Sequence, residues 1–592
     1  MSSKKTLAGR QKQAVFIALA AILLLVIALF VVRYLVSIYE FVDADGTEYT
    51  VKRQDGVYGL FDKSGNRMST TVEDGKKYFV TEAGTLVSVS ESGGTSVYAV
   101  VDTEGGEIAS EYNRLMIFPK IETAQIRSIR VTNEHGTFTF ARTKSGNMAI
   151  QGYESVAYSR EAYSYLSSLC GSMVVMNGGR YTAEVIDTYG LEEYGLDEPQ
   201  ATFTITSAAG KSYTVLVGDM IVSGNGYYVM LEGRETVYIV NAYYSVLLNA
   251  VESYVEPALI YGMDVNNYPE VQNFRVYRYT YDEEEKPSAS LITALSYWPY
   301  EERENTEYQT QAYRMIEESL AAYVPESNSV TSTMQKLIEL EKAKVVKLGV
   351  TDKALADCGL NKPETLLSYD FEARSGNQML RLSTRIWFSS LTERGTHYAY
   401  VEAEITDGVS RMPVTAFDYI LEIDVSALPF LSWGKIDWVE IYYFHINIML
   451  LEQVEITLPT GTMTLDFKVG EDDVERIVAT LNGESKDINV AEFKKIYIQM
   501  LYGVLFDEAD KTDEELEALV KDESKHQLSY RVKTRKTDKT EGIDNTYSFY
   551  YLAETDSYLT INGGGEFYVL SNAVKQLAAD AVKLWEGVVI DR

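Results

Sequence analysis

Ser128-Ile-Arg-Val-Thr-Asn-Glu-His-Gly-Thr-Phe-Thr-Phe140 aligns without a gap on Gln453-Val-Glu-Ile-Thr-Leu-Pro-Thr-Gly-Thr-Met-Thr-Leu465, at a constant offset of 325 residues. In both, apolar and polar residues alternate on either side of a Gly turn, the period-2 mark of half-buried antiparallel strands. A second block repeats at an offset of 330: Tyr228-Val-Met-Leu-Glu-Gly-Arg-Glu-Thr-Val-Tyr-Ile-Val240 aligns with Tyr558-Leu-Thr-Ile-Asn-Gly-Gly-Gly-Glu-Phe-Tyr-Val-Leu570. Between the blocks lies a helical pattern. Tyr165, Leu166, Leu169, Cys170 and Met173 follow Ser159 in the first copy. Phe493, Ile496, Tyr497, Met500, Leu501 and Val504 follow Asn489 in the last, with Glu492 placed as in a capping box. One apolar face per helix implies packing on a sheet. A more divergent middle copy opens with Phe274-Arg-Val-Tyr-Arg-Tyr-Thr-Tyr281 and predicts a helix from about Thr333 to Lys342. The pattern predicts an α+β fold class with three tandem units of antiparallel sheet and packed helix, over residues 124–256, 270–425 and 448–590.

Upstream, Tyr39-Glu-Phe-Val-Asp-Ala-Asp-Gly46, Tyr58-Gly-Leu-Phe-Asp-Lys-Ser-Gly65, Tyr78-Phe-Val-Thr-Glu-Ala-Gly84 and Tyr98-Ala-Val-Val-Asp-Thr-Glu-Gly105 recur at near-constant spacing. Each is an apolar strand ending in an acidic-plus-Gly turn, so residues 37–112 predict a short β-meander of hairpins. Before it, Ala14 to Val32 is an apolar run without charge, Pro or Gly. It is long enough to cross a bilayer of ~30 Å, and predicts an N-terminal transmembrane helix over 14–36. Lys4, Lys5, Arg10 and Lys12 precede it and no acid occurs before Glu40. The positive-inside rule then puts the tail 1–13 in the cytoplasm and the bulk of the chain outside, as a single-pass cell-membrane protein. The run exceeds the apolar core of a signal peptide, and no small-x-small cleavage site follows. No Cys follows the run as a lipoprotein would need. A later apolar stretch, Trp438 to Leu451, is too short and too polar to span and is expected as strand and core.

Of 592 residues 86 are acidic and 54 basic, a formal net charge of −32. Such a surface repels polyanions, which excludes nucleic acid as a partner class. With 46% hydrophobic residues and 45 tyrosines, the acidity is the skin of folded domains rather than a sign of disorder. The two cysteines, Cys170 and Cys358, read as buried thiols, with a single disulfide left open. His135, His397, His445 and His526 form no HExxH or Cys/His cluster. Gly210-Lys-Ser212 mimics the end of a P-loop but sits in a hairpin turn, where it has no strand-to-helix geometry to cradle phosphate. The acidic clusters Asp282–Glu285, Glu471–Asp473 and Asp507–Glu517 read as solvated turns and helix faces, with calcium binding left open. Thr512 to Glu515 is a capping box opening a helix. No catalytic, cofactor-binding or metal-ligating residue is assigned, and no cofactor is expected.

Gly195-Leu-Asp-Glu-Pro199 in the first copy recurs as Gly359-Leu-Asn-Lys-Pro363 in the second. Physically, Gly ends a helical turn, Leu plugs the core and Pro stops the helix from continuing. Tyr189-Gly-Leu-Glu-Glu-Tyr-Gly-Leu-Asp-Glu-Pro-Gln-Ala-Thr-Phe-Thr-Ile205, the Gly210 turn, the strand Tyr213 to Val217 with Gly218, and the Tyr227-Tyr228 hairpin resemble a bacterial domain-of-unknown-function family. Its members are membrane-anchored extracytoplasmic proteins that accompany gliding-motility-type ABC transporters. The resemblance covers roughly 124–256 and extends more weakly over the later copies, of which the third lacks the Gly-Leu-x-x-Pro element. It implies a non-enzymatic extracytoplasmic accessory of a transport complex, with permease and ATPase as partners. The alternatives are a module binding envelope polysaccharide or peptide, suggested by the tyrosines, and a hydrolase with an unrecognised carboxylate site.

Overall fold

Strands that alternate apolar and polar side chains pair with whichever neighbour buries the apolar set, and here they pair antiparallel throughout. The computed structural model describes residues 38–591 except 43–47, 55–56, 74–75, 81–85, 90–97, 102–107, 110–114, 119–120, 182–189, 234–235, 262–269, 304–310, 318–319, 327, 376–377 and 537–541. Two compact units divide at Val255 and Glu256.

In the first unit, β1 (Ile38–Val42), β2 (Glu48–Gln54) and β3 (Val57–Phe61) pair in sequence order. So do β4 (Thr70–Glu73), β5 (Lys76–Val80), β6 (Leu86–Val89) and β7 (Tyr98–Val101), and separately β8 (Ile108–Ala109) with β9 (Leu115–Met116). Of the four acidic-plus-Gly turns, the one after β3 is fully described. Gly65 takes φ 81° there, and Asp62 Oδ1 accepts the Asn66 N–H at 2.7 Å. An eight-stranded sheet follows, from β10 (Ile126–Asn133), β11 (Gly136–Arg142), β12 (Met148–Ile150), β13 (Val175–Tyr181), β14 (Ala201–Ser207), β15 (Ser212–Met220), β16 (Gly226–Leu231) and β17 (Val237–Asn241). Its order is β12-β11-β10-β14-β15-β16-β17-β13.

The second unit repeats that topology twice. The middle sheet uses β18 (Gln272–Tyr281), β19 (Pro287–Tyr297), β20 (Tyr313–Met315), β21 (Ala343–Leu348), β22 (Thr365–Ser375), β23 (Gln378–Phe388), β24 (Thr396–Thr406), β25 (Arg411–Pro413) and β26 (Tyr419–Asp424). They run β20-β19-β18-β22-β23-β24-β26-β21, with β25 on β24. The last sheet uses β27 (Leu451–Leu458), β28 (Gly461–Val469), β29 (Val474–Leu481), β30 (Glu484–Ile488), β31 (Leu505–Glu508), β32 (His526–Thr534), β33 (Asp544–Tyr551), β34 (Asp556–Ile561) and β35 (Gly564–Leu570). They run β30-β29-β28-β27-β32-β33-β34-β35-β31. In each sheet the strand after the helix goes to the far edge, and the next strand returns to pair with the first.

The pairings agree residue by residue. Ile129 faces Phe140 and Ile205, and Val454 faces Leu465 and Val532. A β-bulge interrupts the opening strand between Ile126 and Ser128, between Gln272 and Arg275, and between Leu451 and Gln453. The extra residue moves the next side chain to the other face. The buried sets are therefore Ile126, Ile129, Val131; Val271, Phe274, Val276; and Leu451, Val454, Ile456, spaced three then two in all three sheets.

One face of each sheet carries the helix of its repeat, joined in the third by Ser571–Glu586. Arg160–Gly171 is capped by Ser159, whose hydroxyl accepts the Ala162 N–H, and buries Tyr163, Leu166 and Cys170. Phe140 packs on Tyr163 and Tyr254 at ring-centroid distances of 5.0 and 5.6 Å. The middle helix is Ser329–Glu339, earlier than expected because Leu340 turns left-handed at φ 31° and stops it. The last is Val490–Leu501, capped by Asn489. Glu492 does not complete a capping box; its carboxylate instead accepts the Ile590 N–H and pairs with Lys495. The Thr512–Glu515 capping box is formed as expected.

The other face is covered only in part, by a short element over the sixth and seventh strands of the repeat. Leu196, after the 3-10 turn Glu192–Tyr194, packs with Tyr194, Met230, Val237 and Tyr228. Leu360, after the helix Asp352–Asp357, packs with Ala354, Ile420, Tyr398 and Tyr400. Gly195 and Gly359 take φ 63° and 68° to end those turns. The third sheet has no such motif, and Leu516 of the helix Asp513–Lys521 packs on Tyr558 and Tyr568 in its place.

Two expectations are corrected. The α+β class gives way to a predominantly β architecture: the sheets hold eight, nine and nine strands, and the longest described helix, Ser571–Glu586, has 16 residues. The helical period in the sequence was real but short, so helices patch sheets rather than form a layer. The expected transmembrane helix at 14–36 lies outside the described residues, and among the described residues no helix is long and apolar enough to cross a membrane. Trp438 to Leu451 is core rather than strand before Leu451: Trp438, Val439, Tyr443, Phe444 and Ile446 are buried in 3-10 turns and coil.

Removing the plug tests this packing. Leu360→Ala is expected to destabilise the second unit by about 2–4 kcal/mol in urea unfolding, through lost burial plus a cavity. Gly218→Ala should be similarly harmful in the first unit, because a Cβ there would collide with the Tyr194 carbonyl and press on Leu196. Unchanged midpoints would show that the plugs carry no packing.

Candidate functional site

The face left open beside each plug is built by alternation, so its residues can be written as rows running across the strands. In the middle sheet Tyr277, Leu366, Trp387 and Tyr400 stand in register across β18, β22, β23 and β24. Two residues along lie Arg275, Ser368, Arg385 and Glu402, and beyond them Gln272, Asp370, Ser383 and Glu404. Trp387 and Tyr400 stack with centroids 6.3 Å apart and planes 12° apart, and Tyr279 flanks Trp387 at 6.0 Å. Trp387 Nε1 donates to Glu402 Oε2 at 3.1 Å. The polar rows line a depression of about 540 Å³ that includes Asn273, Arg275, Asp370, Arg385, Glu402 and Glu404.

Asp370 anchors the far end. Its carboxylate accepts from Asn273 Nδ2 at 2.7 Å, from Ser383 Oγ at 2.7 Å and from Arg381. Burial pushes this carboxyl up, but the three donors more than offset it and hold it below the ordinary aspartate value. Asn273 reaches Asp370 because the bulge puts it at φ 50°. Among the described residues the guanidinium groups of Arg275 and Arg385 make no hydrogen bond or ion pair.

The same rows differ in the other sheets. In the first, Arg130 is followed by Thr204 and Thr214, whose hydroxyls bond at 3.0 Å, and the depression of about 440 Å³ is lined mostly by Ser and Thr. In the third, Glu455, Arg531 and Thr546 stand in line, and Arg531 is engaged by Asp544 at 2.6 and 2.7 Å and by Glu455 at 3.7 Å.

The residues singled out in the sequence lie elsewhere. His135 sits at a hairpin turn beside Glu134, and His397 is buried with Nδ1 2.8 Å from the Ser389 carbonyl. His526 Nε2 meets Ser529 Oγ at 2.7 Å, and burial lowers the pKa of both His445 and His526. Gly210-Lys-Ser212 is the β14–β15 turn, with Gly210 at φ 84°. Asp282 accepts the Glu284 and Lys286 N–H groups of its own turn, Asp473 pairs with Lys494, and Asp510 accepts the Tyr568 hydroxyl. Among the described residues no three His, Cys, Asp or Glu side chains converge as a metal site would require. Both cysteines are free thiols, their pKa values raised by burial.

Residues 166–324 match DUF4340, a domain of unknown function. No match to a curated protein was found. The DUF4340 match starts inside the helix Arg160–Gly171 and ends beyond β20, so it is shifted from the expected 124–256. It takes in the first plug and β18, while β22, β23 and β24 lie outside it. The rows of the middle sheet were not singled out from the sequence. Their trace there is the alternation Arg381-x-Ser383-x-Arg385-x-Trp387 and Tyr398-x-Tyr400-x-Glu402-x-Glu404.

Asp370→Asn tests the network by pH. A depressed folded-state value means the charged network stabilises fully above the unfolded value near 3.8 and loses that stabilisation as pH falls through the folded value. At pH 7 the variant should be less stable by about 1 kcal/mol, a partly exposed pair being screened. The gap should narrow in urea unfolding as the pH is taken below 3.8. A gap that stays constant as the pH falls would assign the effect to packing rather than charge.

Proposed function

We propose that the protein is a non-enzymatic extracytoplasmic component that partners a membrane transport complex of the gliding-motility ABC type. The observation that carries this reading is the repetition: one sheet topology, with the same bulge and an equivalent plug, occurs three times along the chain. Such repeats suit a scaffold that offers several faces to other molecules. The DUF4340 match and the motif Gly195-Leu-Asp-Glu-Pro199 within it support the family side of the proposal. The basic residues Lys4 to Lys12, ahead of the apolar run Ala14 to Val32, support a location at the membrane with the bulk of the chain outside. A catalyst instead needs convergent titratable groups poised for proton transfer.

Purification of the full chain in mild detergent is expected to recover a permease and an ATPase. Protease added to intact wall-stripped cells should digest the chain beyond Gln54. Digestion only after lysis would overturn the location. Hydrolysis of envelope polymers by the purified chain, abolished by one Asp or Glu substitution, would overturn the non-enzymatic reading.

A further inference from the structure

We infer that the open face of the middle sheet is a saccharide-binding site that takes a short run of neutral hexose units. A pyranose ring is amphipathic, with an apolar C–H face and a rim of hydroxyls that donate and accept. Its match is an aromatic shelf beside fixed polar groups. Trp387, stacked with Tyr400 and flanked by Tyr279, forms the shelf. Next to it stand the two unengaged guanidinium groups of Arg275 and Arg385, as donors, with Glu402 and Glu404 as acceptors.

Size agrees. Rows two residues apart are separated by ~7 Å and strands by ~4.8 Å, so three rows over four strands cover about 14 Å in each direction. That area holds two to three sugar rings, and about 540 Å³ falls within the usual range for ligand sites. The charges also select. Arg275, Arg381 and Arg385 stand against Asp370, Glu372, Glu402 and Glu404 on this face, close to neutral, while the chain as a whole carries −32. A neutral ligand meets no net repulsion here, and a polyanion is repelled by the surroundings. An extended peptide would add to a sheet edge through its main chain, whereas β22 and β23 are interior strands already paired on both sides.

The inference is independent of the transport partnership, because binding is measured on the purified chain alone. The full-length protein in mild detergent is titrated with cellohexaose, chitohexaose and mannohexaose, with hexaglycine and hexagalacturonate as comparisons, by calorimetry and tryptophan fluorescence. At least one neutral hexamer is expected to bind. Trp387→Ala and Arg385→Ala should each weaken it about tenfold or more. Arg531→Ala, on the third sheet, should leave it unchanged. Arg385 is exposed, so its variant reads out binding even if Trp387→Ala perturbs folding. No binding of any neutral hexamer at millimolar concentration overturns the inference. So does preference for hexagalacturonate or hexaglycine, or affinity that survives Arg385→Ala with an unchanged circular dichroism spectrum.

Discussion

An antiparallel sheet of eight or nine strands has two faces, and the longer helices cover only one of them here, with Val490–Leu501 and Ser571–Glu586 together on the third sheet. That constraint shapes the rest of the protein. The side facing the helix must be apolar, and Ile129, Phe140, Phe203 and Ile205 are all fully buried there in the first sheet. Burial of such side chains contributes roughly 1.5–3 kcal/mol each. The opposite side must be either plugged or soluble. Leu196, Leu360 and Leu516 close one end of it, and hydroxyl, amide and charged side chains fill the remainder.

The bulge in the opening strand sets which residue goes to which side. Without the extra residue between Ile126 and Ser128, the apolar set would split between the faces. In the middle sheet the same irregularity has a second consequence, because it turns Asn273 toward Asp370. A device that serves burial in all three sheets thus also positions a polar group in the middle one.

On a common scaffold the open faces have diverged. The first is lined mainly by hydroxyls, the third is closed by Arg531 with Asp544 and Glu455, and the middle one combines an aromatic row with unengaged guanidinium groups. Side chains on an open face are free to differ because they contribute little to the core. Those toward the helix keep the same spacing of three then two.

The 325 and 330 offsets are visible in the residues themselves, since period-2 alternation around Gly is a local property. The helix starts at Ser159, Asn489 and Thr512 are also local, each depending on a side-chain oxygen reaching a nearby N–H group. The role of Gly195 and Leu196 was readable for the same reason. Strand order was not: the strand after the helix crosses to the far edge because of which apolar faces are left to cover. The run Trp438 to Leu451, expected as strand and core, is core in 3-10 turns and coil, because a short apolar run has the same local pattern whatever it packs on. The candidate site was least legible. Arg275, Asp370, Arg385 and Glu402 are up to 127 residues apart in sequence. Sequence alternation fixes that each points to one side of its own strand, but only pairing across four strands, with a bulge in the first, brings them into adjacent rows.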